Sequence, residues 1–378
     1  MGYAGPSPES RRTLSIQAPI IPIVREWVEA TPGTISLGQG VVSYPPPPEA
    51  LAAIPRFLSD PSNHKYGPVE GIAQLRAALT RKLAAENGVG VGAERRVVVT
   101  AGGNMAFLAA VLAIADPGDE IVLLRPYYFN HEMAVRIAGA EPVCVDTDDE
   151  FQPRLDAIRS ALSPRTRAVV TISPNNPTGA VYREEALTAI NALCRESGAY
   201  HIHDEAYEYF TYDGARHFSP AALPGSDRHT LALYSFSKAY GFASWRVGYM
   251  VLPEHLAEAV RKIQDTNLIC PPVVSQHVAL AALSRTRGLW IEALARVPHL
   301  VSVPAAEGAF YLMLRVATSL DSMTLAERLV REHRVAVVPG TAFGVEKPTL
   351  LRASYGALTP DDAAEGLRRL LDGLRALH

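Results

Sequence analysis

Cysteine is scarce: Cys144, Cys194 and Cys270 are the only three among 378 residues, and they lie far apart. That spacing excludes a disulfide framework and a cysteine-based metal cluster, and their apolar neighbours read as core packing. No apolar run approaches the ~20 residues that a membrane span requires. Charge of one sign is also missing, because 36 basic and 39 acidic residues leave a formal net charge of -3. A nucleic-acid footprint and a disordered composition are both excluded by that balance, and a small-molecule partner fits better. There is no internal repeat and no low-complexity segment; Pro45 to Pro48 is short enough to be a rigid turn. The opening Met1-Gly-Tyr-Ala-Gly-Pro6 lacks the basic and apolar regions of a signal peptide, and Pro6 stands where myristoylation needs a hydroxyl residue. Cytoplasmic residence is the expectation.

What is abundant is apolar material, 48% of the residues, in a chain longer than one hydrophobic core comfortably fills. A large domain over 36–270, a smaller one over 271–378 and an N-terminal arm over 1–35 are expected. The arm is rich in proline (Ile16-Gln-Ala-Pro-Ile-Ile-Pro-Ile-Val24), which predicts an extended segment until a helix over Val24 to Ala30. From Arg96-Val-Val-Val-Thr100 onward, short strand-like runs recur at Glu120–Leu124, Glu141–Val145, Arg167–Ile172, Ala199–His203 and Thr230–Tyr234. Helical patterns such as Phe107 to Ala115 and Arg183 to Ser197 separate most of them. The alternation predicts an α/β fold, a mainly parallel sheet covered by helices on both faces. After Pro253, two helical stretches, strand-like runs at Gly308–Leu314, Val335–Val338 and Leu350–Ser354, and a helix over 359–376 predict a small α+β domain.

Ligands of open α/β sheets collect outside the carboxyl ends of the strands, so the residues following each run carry the functional signal. Thr100 is followed by Ala101-Gly-Gly-Asn-Met105 and a helix, which offers free backbone N–H groups and a helix dipole to a phosphate. Ile172 is followed by Ser173-Pro-Asn-Asn-Pro-Thr-Gly179, equally compatible with a plain turn. After His203 comes Asp204-Glu-Ala-Tyr207, an acid at the mouth of a buried strand that needs a cationic partner. The run Ser235-Phe-Ser-Lys238 brings an amine within three residues of two hydroxyls, with Arg246 eight residues on. An amine that captures an aldehyde, set among phosphate donors and an acid suited to a pyridinium nitrogen, is the chemistry of pyridoxal phosphate. His201 and His203 share a strand face, but beside Asp204 a core role explains them better than a metal.

These motifs, in this order, resemble the fold-type I pyridoxal-phosphate aminotransferases of classes I and II. The resemblance runs from Leu37-Gly-Gln-Gly40 through Lys65-Tyr-Gly-Pro-Val-Glu-Gly71 to Glu307-Gly-Ala-Phe310, Val338-Pro-Gly340 and Leu351-Arg-Ala-Ser354. It implies that Lys238 holds the cofactor and shuttles a proton, that Asp204 pairs with the pyridinium, and that Asn176 and Tyr207 meet the ring hydroxyl. Gly103, Asn104, Ser235, Ser237 and Arg246 match positions around the phosphate, and Tyr128, rather than its neighbour Tyr127, matches the ring-stacking aromatic. Arg352 matches the clamp on the substrate carboxylate, with Asn176 beside it and Gly40 leaving room. Tyr66 matches a tyrosine that reaches the site of the other subunit of a homodimer. The implied substrates are an amino acid and a 2-oxo acid in a ping-pong cycle. A carbon–sulfur lyase or a biosynthetic oxidase or eliminase would use the same Lys238, Asp204 and Arg246. A non-catalytic regulator is disfavoured, because the first 35 residues are too short and proline-rich for a helix-turn-helix.

Stretches such as Ser10-Arg-Arg-Thr-Leu14, Pro126-Tyr-Tyr-Phe-Asn130 and Tyr207-Glu-Tyr-Phe-Thr-Tyr-Asp-Gly214 are similar to a bacterial and plant subgroup whose plant members act on aromatic amino acids and methionine. Ile16, Ile20, Ile21, Ile23 and Tyr44 are expected to supply apolar lining for such a side chain, with Arg12 and Arg25 the candidates to bind a second carboxylate instead. The connection between Trp290 and Glu307 is shorter than the family's by about four helical turns, near a whole number of turns, which leaves the flanking faces in phase.

Overall fold

The computed structural model describes residues 9–283, 309–354, 356–358 and 360–377; the abbreviated connection lies outside them. Twelve strands are present among the described residues: β1 (Ile35–Ser36), β2 (Arg95–Thr100), β3 (Glu120–Arg125), β4 (Glu141–Asp146), β5 (Thr166–Ile172), β6 (Tyr200–Asp204), β7 (Thr230–Ser235), β8 (Gly248–Pro253), β9 (Tyr311–Arg315), β10 (Val335–Ala336), β11 (Val338–Pro339) and β12 (Leu350–Ser354). Seven form one sheet in the order β2-β8-β7-β6-β5-β3-β4. All its neighbours run parallel except β8, which is antiparallel to both β2 and β7. The expected α/β architecture is therefore the observed one. β8 was not anticipated as a strand, because Gly248-Tyr-Met-Val-Leu-Pro253 reads as the tail of the lysine motif.

Most of these runs are rich in apolar residues, and β6 (Tyr-His-Ile-His-Asp) and β7 at the centre are buried on both faces even though β6 carries two histidines. One apolar cluster joins Val98, Leu123, Val170, Ile202 and Leu233 to the helix Gly103–Ile114, and a second joins Val122, Val169 and Ile190 of the opposite face to Met313 and Val338 of the small sheet. Because β8 runs backwards, its first residue lies at the same edge as the ends of its neighbours, with Gly248 opposite Thr100 and Ser235. Glycine is required there. A Cβ on Gly248 would come within 2.8 Å of the Gly102 carbonyl carbon and of the Tyr234 oxygen.

The small sheet is antiparallel in the order β11-β12-β9, with Arg352 opposite Met313 and Ser354 opposite Tyr311. β1 pairs in parallel with β10, so the N-terminal segment joins the small sheet's side of the molecule. The helix Val273–Leu283 packs instead on Pro48–Leu51, Ala53–Ser59 and Ala73–Lys82. The arm differs from expectation: it is helical over Arg11–Leu14 and Ile20–Ala30. Pro22 falls in the first turn, where its missing N–H would have had no intrahelical partner, so it permits the helix it was taken to oppose. Ile20 and Val24 are buried in the cluster that includes Val338.

Candidate active site

The carboxyl edge of the large sheet opens into a cavity of about 360 Å³ lined by Gly103, Asn104, Tyr128, Ile172, Asn176, Asp204, Ala206, Tyr207, Ser235, Ser237, Lys238, Ala243 and Arg246. Ten of the thirteen residues singled out from sequence meet in this space; Gly40 and Arg352 adjoin it through hydrogen bonds to its lining, and Tyr66 does not line it. Tyr66 is 80% exposed. Tyr127 points elsewhere, its ring against Gly344, so Tyr128 is the aromatic of the pair that faces the cavity.

Lys238 follows β7, and its Nζ donates to the Gly40 carbonyl at 2.6 Å, 5.5 Å from the centre of the Tyr207 ring. Burial, and then the like charge of Arg352, lower its pKa to about 8, against an opposing pull from Asp204. A neutral amine is thus accessible near neutral pH. Asp204 ends β6; Oδ1 accepts from the Ala206 N–H at 3.0 Å, and Oδ2 lies 3.1 Å from Nε2 of His131. The His131 ring in turn stacks on Phe107 at 3.8 Å between centroids.

At the other end of the cavity the helix Gly103–Ile114 begins, with Gly102 at φ +84°. A Cβ on Gly102 would lie 2.3 Å from Nη2 of Arg246, so the turn and the guanidinium fit together only without a side chain. Arg246 itself sits in the left-handed region at φ +52° and donates to the Ala243 carbonyl at 2.9 Å and Ser237 Oγ at 3.3 Å. Ser235 Oγ accepts from the Ser237 N–H at 3.1 Å. Backbone donors, two hydroxyls and a guanidinium converge as an anion cradle.

Arg352 enters from β12. It is 2% exposed and donates to Asn176 Oδ1 at 3.2 Å and to the Gly38 carbonyl at 2.5 Å, while Nε meets no partner. Its guanidinium carbon lies 4.5 Å over the Tyr311 ring and 5.4 Å from that of Phe343. No carboxylate among the described residues pairs with it. Tyr207 shares a 2.7 Å hydrogen bond with the hydroxyl of Tyr311, and burial raises the pKa of both phenols.

Sequence reasoning missed His131 and Tyr311. His131 lies three residues past Tyr128 on the helix Phe129–Ala138, a spacing that places both toward one side; Tyr311 directly follows the Gly-Ala-Phe310 motif. His201 and His203 are both fully buried and share Thr171 Oγ1, at 2.8 and 2.6 Å; His201 also meets Asn191 at 3.1 Å, whereas Nε2 of His203 has no partner among the described residues. Burial holds the His201 pKa down at about 3.

Comparison with known proteins agrees with this geometry. The family profile of aminotransferase class I and II matches residues 32–370. An aromatic aminotransferase of Arabidopsis thaliana is 35% identical over 97% of this chain and 96% of its own length. The aspartate/prephenate aminotransferase of Thermus thermophilus is 34% identical over 95% of this chain and 94% of its own. In structure, the aromatic aminotransferase of Pyrococcus horikoshii superimposes with a TM-score of 0.84 at 32% identity, covering 94% of this chain and 98% of that one. Sequence, sheet topology and cavity agree, and this chain belongs to the class I and II aminotransferases, pyridoxal-phosphate-dependent enzymes that move an amino group from an amino acid to a 2-oxo acid.

Proposed function

We propose that this transaminase takes its amino group from an aromatic or thioether L-amino acid and works as a cytoplasmic homodimer in amino-acid biosynthesis. The observation that carries the reading is Arg352, a buried guanidinium with a free Nε and no acidic partner among the described residues. A buried charge in that condition requires an anion, and the α-carboxylate of an amino acid supplies one. Lys238, the other end of the recognition, waits on the far side of Gly40.

The residues fit pyridoxal phosphate on a structural ground: the Gly102 turn, closed to any Cβ by Arg246, shapes the cradle for a phosphate, and Asp204 lines the same cavity to meet a ring nitrogen. Gly103, Asn104, Ser235, Ser237 and Arg246 would hold the phosphate; Asn176 and Tyr207 would meet the ring hydroxyl; Tyr128 would cover the ring. When bound, the cofactor supplies an aldehyde for the substrate amine and an acceptor for the electron pair released at Cα. Lys238 would take the Cα proton on Nζ and hand it on to the aldehyde carbon of the cofactor, a role that needs an amine whose pKa lies near the working pH. Asp204 keeps a proton on the ring nitrogen, and Arg352 with Asn176 fixes the substrate carboxylate.

Side-chain preference follows from the cations that remain. Lys238 and Arg246 line the cavity and Arg352 adjoins it, so among the described residues none is left there for a second carboxylate. Arg25 is exposed and paired with Glu29 at 2.7 Å, Arg12 is exposed, and neither candidate lines the cavity. Of the expected lining, Ile20 is buried in the core, whereas the Tyr44 hydroxyl donates to the Ala239 carbonyl at 3.2 Å, beside Lys238; the apolar surface near Arg352 is that of Tyr311 and Phe343. Tyr66, exposed and outside the cavity lining, would meet the site of a second copy. No helix among the described residues is long and apolar enough to cross a membrane. The domains proposed are 36–270 around the cofactor and 271–378 with the arm around the substrate, with the helix Val273–Leu283, which packs on the large domain, as the link between them.

Three outcomes are expected. Borohydride treatment of the yellow holoenzyme fixes a pyridoxyl group on Lys238, found by peptide mass spectrometry, and a Lys238→Ala variant carries none; an adduct on another lysine contradicts the assignment. In cofactor-stripped protein, capture of an aldehyde rises with pH through a midpoint near 8, where the amine loses its proton. Arg352→Met moves that midpoint upward by removing a like charge, and a parent midpoint above about 10 contradicts the environment described. With a donor panel, kcat/KM for phenylalanine, tyrosine, tryptophan or methionine exceeds that for aspartate by roughly tenfold; aspartate outperforming all four overturns the substrate class.

A further inference from the structure

Tyr311 is fully buried on β9, outside the cavity lining, and among the described residues its hydroxyl has one polar partner, the hydroxyl of Tyr207 at 2.7 Å. Each phenol carries one proton and can both donate and accept. Were Tyr207 the donor, the proton of Tyr311 would be buried with no acceptor, which carries the full desolvation cost of the group. The reverse arrangement leaves nothing unsatisfied, because Tyr207 lines the cavity and can spend its proton there. The rest of the pocket holds the pair in place. Tyr311 has no room to swing toward Gly40, where even a Cβ would stand 2.2 Å from its oxygen, and its ring is pinned under the Arg352 guanidinium at 4.5 Å.

We infer that Tyr311 is a positioning residue: it donates to Tyr207 and thereby turns the single Tyr207 proton into the cavity, toward the ring oxygen of the cofactor. The inference rests on the placement of pyridoxal phosphate proposed above. Its physical content is cooperative, since a phenol that accepts a hydrogen bond becomes a stronger donor, and an anionic ring oxygen gains from a stronger donor. Lys238, Arg352 and Tyr128 are the charged and titratable groups that face the pair, and none of them offers Tyr207 a second fixed donor in the described contacts. The arrangement also ties the small sheet to the large one. Tyr311 lies opposite Ser354 in β12, two residues from Arg352, so the element that binds the substrate carboxylate also sets the direction of the Tyr207 proton.

The test is a spectrophotometric pH titration of bound cofactor between 320 and 450 nm, a readout independent of turnover, in the parent, Tyr311→Phe, Tyr207→Phe and the double variant. Tyr311→Phe keeps the ring, its packing and the contact with Arg352. It should raise the midpoint by roughly 0.5–1 pH unit, and Tyr207→Phe should raise it further. In the Tyr207→Phe background the Tyr311→Phe change should add nothing, because its effect is transmitted through the Tyr207 hydroxyl. Tyr311→Met, which also lacks the hydroxyl, should shift the midpoint in the same direction. A Tyr311→Phe midpoint within about 0.1 unit of the parent, or an equal shift with and without the Tyr207 hydroxyl, overturns the inference while leaving the cofactor site standing. A chain that takes up no pyridoxal phosphate at all overturns both.

Discussion

A carboxylate held at the end of a doubly covered central strand is the constraint on which this structure depends. Asp204 finishes β6 with strands on either side, and its contacts in the protein are the Ala206 N–H and the His131 ring. Removing a carboxylate from water is expensive unless an opposite charge and hydrogen bonds meet it. In the cavity that Asp204 lines, a protonated ring nitrogen of the proposed cofactor would complete that environment and keep the ring an electron sink. The stacking of His131 on Phe107 fixes the imidazole, so the helix Phe129–Ala138 contributes to the acid as much as to the aromatic wall.

The topology converts this constraint into a site. β6 and β7 end at the same edge, β8 starts there, and the helix Gly103–Ile114 starts there after β2, so acid, amine and anion cradle stand along one line. Two glycines make the line possible: Gly102 leaves space for the Arg246 guanidinium, and Gly248 lets β8 pass close to the Gly102 turn. The small sheet then delivers Arg352 across the gap. Its guanidinium and the amine of Lys238 repel each other, one reason the amine stays reactive near neutral pH, and a substrate carboxylate bound there as proposed would relieve that repulsion. Substrate binding and amine chemistry are therefore coupled by a single charge.

Much of this was legible in the sequence, and the limits have physical causes. Short β-rich runs separated by helical patterns made β2 to β7 readable directly, including the edge strand β4 and the histidine-bearing β6, and the polar or glycine residues after them announced the site. β8 was hidden because its strand signal overlapped the lysine and arginine motif. The N-terminal helix was hidden because proline was read as a breaker, although Pro22 sits in the one turn where it does no harm. His131 and Tyr311 bear no motif of their own. A lone histidine on a helix and a tyrosine in an apolar strand gain their meaning only from what the fold sets against them, Asp204 in one case and Tyr207 in the other. Whether Arg25 could serve a second carboxylate was open in the sequence for a similar reason, since only the helix shows it engaged by Glu29 one turn away.

The central claim is that Asp204 governs proton removal from the substrate rather than substrate binding. Single-turnover kinetics of the first half-reaction, parent against Asp204→Ala, tests it most directly. Loss of the carboxylate should slow Cα deprotonation by roughly 100-fold or more while the dissociation constant of the amino acid changes by less than about fivefold. A deprotonation rate within about threefold of the parent would contradict the account.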